Sequence, residues 1–348
     1  MNRKIRLNLI AACVLLLSSN LTAQQIKVTD KRADESVETV PARTLGQATL
    51  ISGPTACSGG ANCYNLDVSC PDVQETARFS LRVGNPDATV PARGTIIFLS
   101  GGDGTGAWDS SADSRRILGD LRSNGFRTAI IQWMTAGGWS KSAKGWHVGQ
   151  GRLACRPATA ARWVYDNLFT STATTAFCAT GQSGGSTQVA YMITQYGLAD
   201  IISTAVLTGG PPHSRIDLGC LKYDSANSAA WYNDGASAGL IDEGFGYSTN
   251  FGPCTNNTFS FRKHFQEASI AYGDWQYNYP HTMVWFLIGA QDTTPAPGQS
   301  VFYQQRLLAA GTPFFRLNIV PNTGHGVPGS TEGANMIRDV MLNECHLR

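Results

Sequence analysis

Thr175-Ala-Phe-Cys-Ala-Thr-Gly-Gln-Ser-Gly-Gly-Ser186 decides how the rest of the chain is read. A short apolar run, suited to a strand buried on both faces, stops at Gly181-Gln182-Ser183-Gly184-Gly185. This predicts a sharp strand-to-helix turn, with Gly181 and Gly185 small enough for strand and helix to approach closely and Ser183 strained at the apex. Gln188, Val189, Tyr191 and Met192 continue as a helix, whose first amides lack intrahelical acceptors and point towards the serine. A five-residue glycine pattern also arises by chance in a chain with 37 glycines, so the surrounding sequence has to decide.

Outward from the turn, strand and helix patterns alternate. Upstream lie an apolar strand at 95–99, a helix at 110–124 with Ile117, Leu118 and Leu121 on one face, a strand at 127–133 and a helix from about 156 to 168 with Pro157 in its first turn. Downstream come strands at 202–208, 283–288 and 314–320, with helices at about 299–310 and 331–343. Such alternation predicts an α/β fold, a mostly parallel central sheet flanked by helices. Ahead of it, 65–69 and 76–83 read as short strands around a glycine-rich loop at 52–62, the antiparallel start of the same sheet.

The G-x-S-x-G turn resembles the nucleophile elbow of the α/β-hydrolase superfamily, and the resemblance extends over roughly 94–344. A serine hydroxyl needs a neighbouring base, and an imidazole in turn needs a carboxylate to fix its tautomer. Asp292 follows the strand at 283–288 and His325 follows the one at 314–320, so Ser183, Asp292 and His325 stand in the superfamily's chain order at the ends of predicted parallel strands. The resemblance implies that these three are the catalytic residues. Singly, the aspartate reads as a turn former and the histidine as a loop residue. His147, His213, His264, His281 and His346 compete as bases, and Asp242 and Asp274 as acids, but none occupies an equivalent loop.

Ser100-Gly-Gly-Asp-Gly-Thr-Gly106 follows the strand at 95–99. The resemblance implies an oxyanion hole here, from Gly102 N–H, with Asp103 N–H as a further donor, together with Gly184 N–H. Ser100 stands where the superfamily often has histidine. The spacing Gly102-x-Gly104-x-x-Ala107 also fits the looser dinucleotide fingerprint. The oxyanion reading is preferred because no second nucleotide signal follows. Trp108, Trp139 and Trp146 fall in loops after strands, placed either to meet a ligand or to pack.

Composition bounds the rest. Residues 1–23 read as a secretory signal peptide, with Arg3, Lys4 and Arg6 ahead of an apolar run too short to span a membrane. Its removal turns the formal charge from +2 to about −1, which leaves no nucleic-acid footprint. A polar, mobile lead-in is expected at 24–43, then a hydrolase domain at 44–348. Eight cysteines remain in the exported chain and suggest disulfides rather than zinc; Cys220 with Cys254 is the preferred pair, and Cys178 reads as a buried small apolar residue.

At 211–281 the alternation stops in a stretch holding 13 of the chain's 33 aromatic residues, predicted to be a small second core, a cap over the site, or both. The expected function is a secreted or periplasmic serine hydrolase that cleaves carboxylic esters, small or polymeric, with no cofactor or metal and no stable membrane insertion. Peptide hydrolysis, β-diketone carbon–carbon cleavage in an oxidised polymer and a non-catalytic binding module remain the alternatives.

Overall fold

The computed structural model describes residues 40–222, 232–233, 235–249 and 251–348. The expected signal peptide and residues 24–39 of the lead-in lie outside these, as does Trp231. The last residues of the lead-in are bonded into the domain: Val40 N–H donates to Asp274 O at 3.0 Å and Arg43 N–H to Gln195 O at 2.7 Å.

Nine strands are present among the described residues: β1 (Gln47–Cys57), β2 (Ala61–Cys70), β3 (Val73–Gly84), β4 (Gly94–Leu99), β5 (Phe126–Trp133), β6 (Ala176–Gln182), β7 (Thr204–Thr208), β8 (Met283–Gly289) and β9 (Phe315–Val320). They form one sheet in the order β1-β2-β3-β5-β4-β6-β7-β8-β9. The first three strands and the β3–β5 pair are antiparallel, and every pair from β5 to β9 is parallel. The chain passes from β4 to β5 on one side and returns to β6 on the other, so β4 lies at the point where the strand order reverses. Loops after such flanking strands diverge and leave a crevice at the carboxyl edge. Leu99 pairs with Gly181, which brings the loop at 100–106 beside the turn carrying Ser183.

The described helices are α1 (Ala112–Ser123), α2 (Gln150–Leu153), α3 (Cys155–Leu168), α4 (Gly184–Gln195), α5 (Ile216–Leu221), α6 (Gly235–Gly244), α7 (Arg262–Ala268), α8 (Ala296–Ala309) and α9 (Thr331–Glu344). Successive strand residues enter opposite cores, as a period of two requires. Ile97 and Leu99 join Ala158, Val164, Val189 and Ile193 on the α3 and α4 face, whereas Ile96 and Phe98 join Ile117, Leu121, Ile337 and Met341 on the α1 and α9 face. The start of α1 follows from its sequence: Ser111 Oγ accepts from Ser114 N–H at 2.9 Å and Ser114 Oγ accepts from Ser111 N–H at 3.2 Å, a reciprocal cap.

Two expectations need correction. The glycine-rich loop expected at 52–62 is mostly strand: β1 continues to Cys57 and only Ser58–Gly60 turns, because Cys57 and Cys63 are disulfide-linked across a hairpin in which Cys57 faces Ala61. Cys178 is no free apolar residue but is joined to Cys345, which ties the elbow strand to the end of α9. Cys220 pairs with Cys254 as expected, and Cys70 with Cys155. Four disulfides fit folding in an oxidising compartment. Among the described residues no helix is long and apolar enough to cross a membrane.

The described part of 211–281 carries no strand. Its rings form the expected small core around the Cys220–Cys254 bridge, with Phe261 at 5.0 Å from Phe245 and 5.1 Å from Phe265 between ring centroids. Asp242, considered as a catalytic acid from sequence, has its oxygens occupied by Cys254 N–H at 2.7 Å and Thr255 N–H at 3.0 Å.

The Cys178–Cys345 bridge closes 167 residues of chain, so its loss frees the denatured ensemble most. The double variant Cys178→Ala/Cys345→Ala should unfold at lower denaturant, by about 2–5 kcal/mol, as measured by equilibrium unfolding in guanidinium. An unchanged midpoint would show that the bridge contributes no stability.

Candidate active site

The turn after β6 is built as its glycines predict. Ser183 has φ 54° and ψ −114°, a region that favours glycine and costs a residue with a side chain about 1–3 kcal/mol. Its neighbours make the geometry obligatory. A Cβ at Gly185 would sit 2.1 Å from Leu99 O, and one at Gly181 would sit 2.2 Å from the carbonyl of Gly185. Backbone bonds fasten the apex: Ser183 N–H donates to Thr208 O at 2.8 Å and Thr187 N–H to Ser183 O at 3.0 Å. Ser183 is half-buried and its hydroxyl makes no hydrogen bond among the described residues.

Asp292 and His325 meet in the loops after β8 and β9. Two backbone bonds stitch those loops together, Ala290 N–H to Val320 O at 2.8 Å and Gln291 N–H to Thr323 O at 2.8 Å. His325 Nδ1 lies 2.9 Å from Asp292 Oδ2, whose side chain is fully buried. An ionised carboxylate only accepts, so the proton sits on Nδ1 and Nε2 keeps its lone pair. Burial is the largest influence on Asp292 and opposes its charge. The hydrogen bonds from His325 and Thr294 outweigh burial and hold the carboxyl below the ordinary carboxylate range.

Sequence reasoning missed three supports of this arrangement. Thr294 donates through its amide at 2.9 Å and its hydroxyl at 2.7 Å to Asp292 Oδ1, and that hydroxyl lies 3.1 Å from His325 Nδ1. The signal was present as Asp-x-Thr, the local turn in which a carboxylate accepts from the residue two ahead. Gln182, immediately before Ser183, donates from Nε2 to His325 O at 2.5 Å, and its Oε1 accepts from Thr208 Oγ1 at 2.8 Å. The histidine loop is therefore fastened one residue from the serine. No direct hydrogen bond joins Ser183 Oγ to the imidazole.

The loop at 100–106 folds against the elbow. A Cβ at Gly184 would lie 2.1 Å from Gly102 O, and Gly102 has φ 59°. Neither the Gly102 nor the Gly184 amide finds an acceptor among the described residues, so both stay free to bind an oxyanion. Buried Trp139 donates from Nε1 to Gly102 O at 3.2 Å and braces the loop. Asp103 caps its own turn, accepting from the Thr105 amide at 3.0 Å and hydroxyl at 2.8 Å. Trp108 is packing, 4.6 Å from Phe98 between centroids, and Trp146 is exposed.

His147, His264, His281 and His346 are exposed. His213, in the loop after β7, is 3% exposed with Nδ1 unpartnered and its ring centroid 6.4 Å from that of Trp139. Among the described residues His325 is the histidine that pairs with a carboxylate.

No family model matches the sequence, and no curated protein matches it. Solved structures do match in fold. Brefeldin A esterase, a bacterial homologue of human hormone-sensitive lipase, is 15% identical with a TM-score of 0.52 over 85% of this chain and 80% of its own. A thermostable carboxyl esterase from Bacillus coagulans is 14% identical with a TM-score of 0.51 over 80% of this chain and 96% of its own. A puromycin hydrolase is 13% identical with a TM-score of 0.52 over 84% of this chain, which spans only 40% of that protein's length.

Burial pushes the His213 imidazole from 6.5 down to about 4. An unfolded chain takes up that proton near pH 6.5 and the folded one only near 4, so stability is complete above about pH 6.5 and falls as the pH drops towards 4, by at most about 3 kcal/mol. His213→Phe should flatten the pH dependence of unfolding in that window. An unaltered slope between wild type and variant would contradict a buried neutral histidine.

Proposed function

We propose that this chain, which has the α/β-hydrolase fold, is an exported serine hydrolase that cleaves carboxylic esters by acyl transfer. The observation that carries the reading is the buried Asp292–His325 hydrogen bond, in a loop that Gln182 fastens beside the strained Ser183. Ser183 Oγ attacks the ester carbonyl as its proton passes to His325 Nε2, whose positive charge Asp292 stabilises. The carbonyl π electrons move to oxygen, where Gly102 N–H and Gly184 N–H receive them. Collapse of the tetrahedral adduct breaks the ester C–O bond; His325 returns the proton to the alcohol that leaves, and water then releases the acyl group by the same steps.

The mechanism requires the unbonded Ser183 hydroxyl to meet the imidazole, and such bonds commonly tighten only with substrate present. The ester preference rests on the fold likeness to two esterases together with the exported, disulfide-bonded character of the chain. The aromatic segment at 211–281 is placed by this reading as a cap over an apolar acyl or polymer chain.

Hydrolysis of p-nitrophenyl esters from acetate to long chain tests the reading, with an anilide as the amide control. Ester turnover should exceed anilide turnover, and Ser183→Ala should lower kcat/KM by several orders of magnitude. Wild-type turnover in that variant would remove Ser183 as the nucleophile. Thr294→Val should cost about ten- to a hundredfold in kcat through loss of one bond to a buried charge.

A further inference from the structure

We propose that the cavity between Arg43 and Arg152 binds a small organic carboxylate, at a site separate from the Ser183 edge. Arg43 is held there by three contacts. Its amide donates to Gln195 O at 2.7 Å, its Nε donates to Gln195 Oε1 at 3.1 Å, and its guanidinium carbon lies 4.8 Å from the Trp275 ring centroid. The two terminal nitrogens find no acceptor among the described residues, and Arg43 lines a cavity of about 510 Å³. That volume lies within the range of small-molecule sites, about 300–1,000 Å³.

Arg152 lines the same cavity and is exposed, with no side-chain hydrogen bond or ion pair among the described residues. Burial is the main cause that lowers the Arg43 guanidinium from its ordinary value, and the like charge of Arg152 adds to it. Of the carboxylates on the wall, Glu267 is 3.8 Å from Lys263, which leaves Asp274 there, with Asp72 acting on Arg43 from outside the wall, to oppose two guanidinium groups that make no ion pair among the described residues. Two guanidinium groups sharing one cavity favour a bound anion, and a ligand carboxylate serves both because a guanidinium fork matches its geometry. Val148, Phe245 and Tyr272 on the same wall suit an apolar body behind that carboxylate.

The cavity is remote from the elbow. α4 begins beside Ser183 and ends at Gln195, 12 residues long, which at 1.5 Å per residue sets the two ends about 18 Å apart. Binding here therefore stands independently of the hydrolase reading.

Calorimetric titration of the purified protein with benzoate tests the proposal, with inorganic phosphate and chloride at matched ionic strength as comparisons. Benzoate should bind saturably, phosphate should bind at least tenfold more weakly, and chloride should show no saturation. Arg152→Gln, at an exposed position, should weaken benzoate at least tenfold, and Arg43→Gln should abolish binding. If Arg43→Gln fails to fold, the Arg152 variant decides. Ser183→Ala should bind benzoate as wild type does. The proposal is overturned by absence of saturable binding up to about 10 mM benzoate, by unchanged affinity in Arg152→Gln, by phosphate binding as tightly as benzoate, or by loss of binding in Ser183→Ala.

Discussion

Three backbones meet around Ser183 closer than any side chain would allow, and the rest of the site depends on that meeting. Gly181 lies against Gly185, Gly185 against Leu99, and Gly184 against Gly102. These contacts, together with the Ser183 N–H bond to Thr208 O, hold a serine at φ 54°. Strain of about 1–3 kcal/mol persists only where the surroundings over-determine it. Here they do so from both sides, through the loop after β4 and the end of β7.

Topology supplies the meeting place. Because β4 lies between β5 and β6, the loops following β4 and β6 open at one crevice, and β7, β8 and β9 extend the same carboxyl edge to the loops of His213, Asp292 and His325. The Cys178–Cys345 bridge then links the elbow strand to the last helix across the α1 and α9 core. An edge assembled this way lets side chains distant along the chain share one rigid frame. Arg43, at the far end of α4, is fixed by the same helix through Gln195.

Much of this was legible in the sequence, for identifiable reasons. Runs such as 95–99 and 176–182 are apolar on both faces, and only a central parallel strand makes that pattern common. Asp292 follows such a run in β8, whereas His325 follows the edge strand β9, largely exposed and carrying Arg316 and Asn318, and stands out instead by its glycine-framed loop. The hairpin at 52–62 was hidden because its glycines signal turn wherever they stand, whereas a disulfide across it favours pairing. The pairing of Cys178 has no local signature, since a half-cystine in a buried strand has the same neighbours as an apolar residue. Gln182, Thr208 and Trp139 reach partners far away in sequence, and no local pattern records such bonds. Thr294 differs, for its bond to Asp292 is local and its Asp-x-Thr spacing was readable.

The central claim is that the hydroxyl at the strained turn is the group that attacks. Reaction of the protein with a fluorophosphonate, followed by proteolysis and mass spectrometry of the adduct, tests it most directly. The account predicts one modified peptide with the adduct on Ser183, and no adduct once His325 is replaced by alanine. An adduct on another serine, or undiminished labelling without His325, would contradict it.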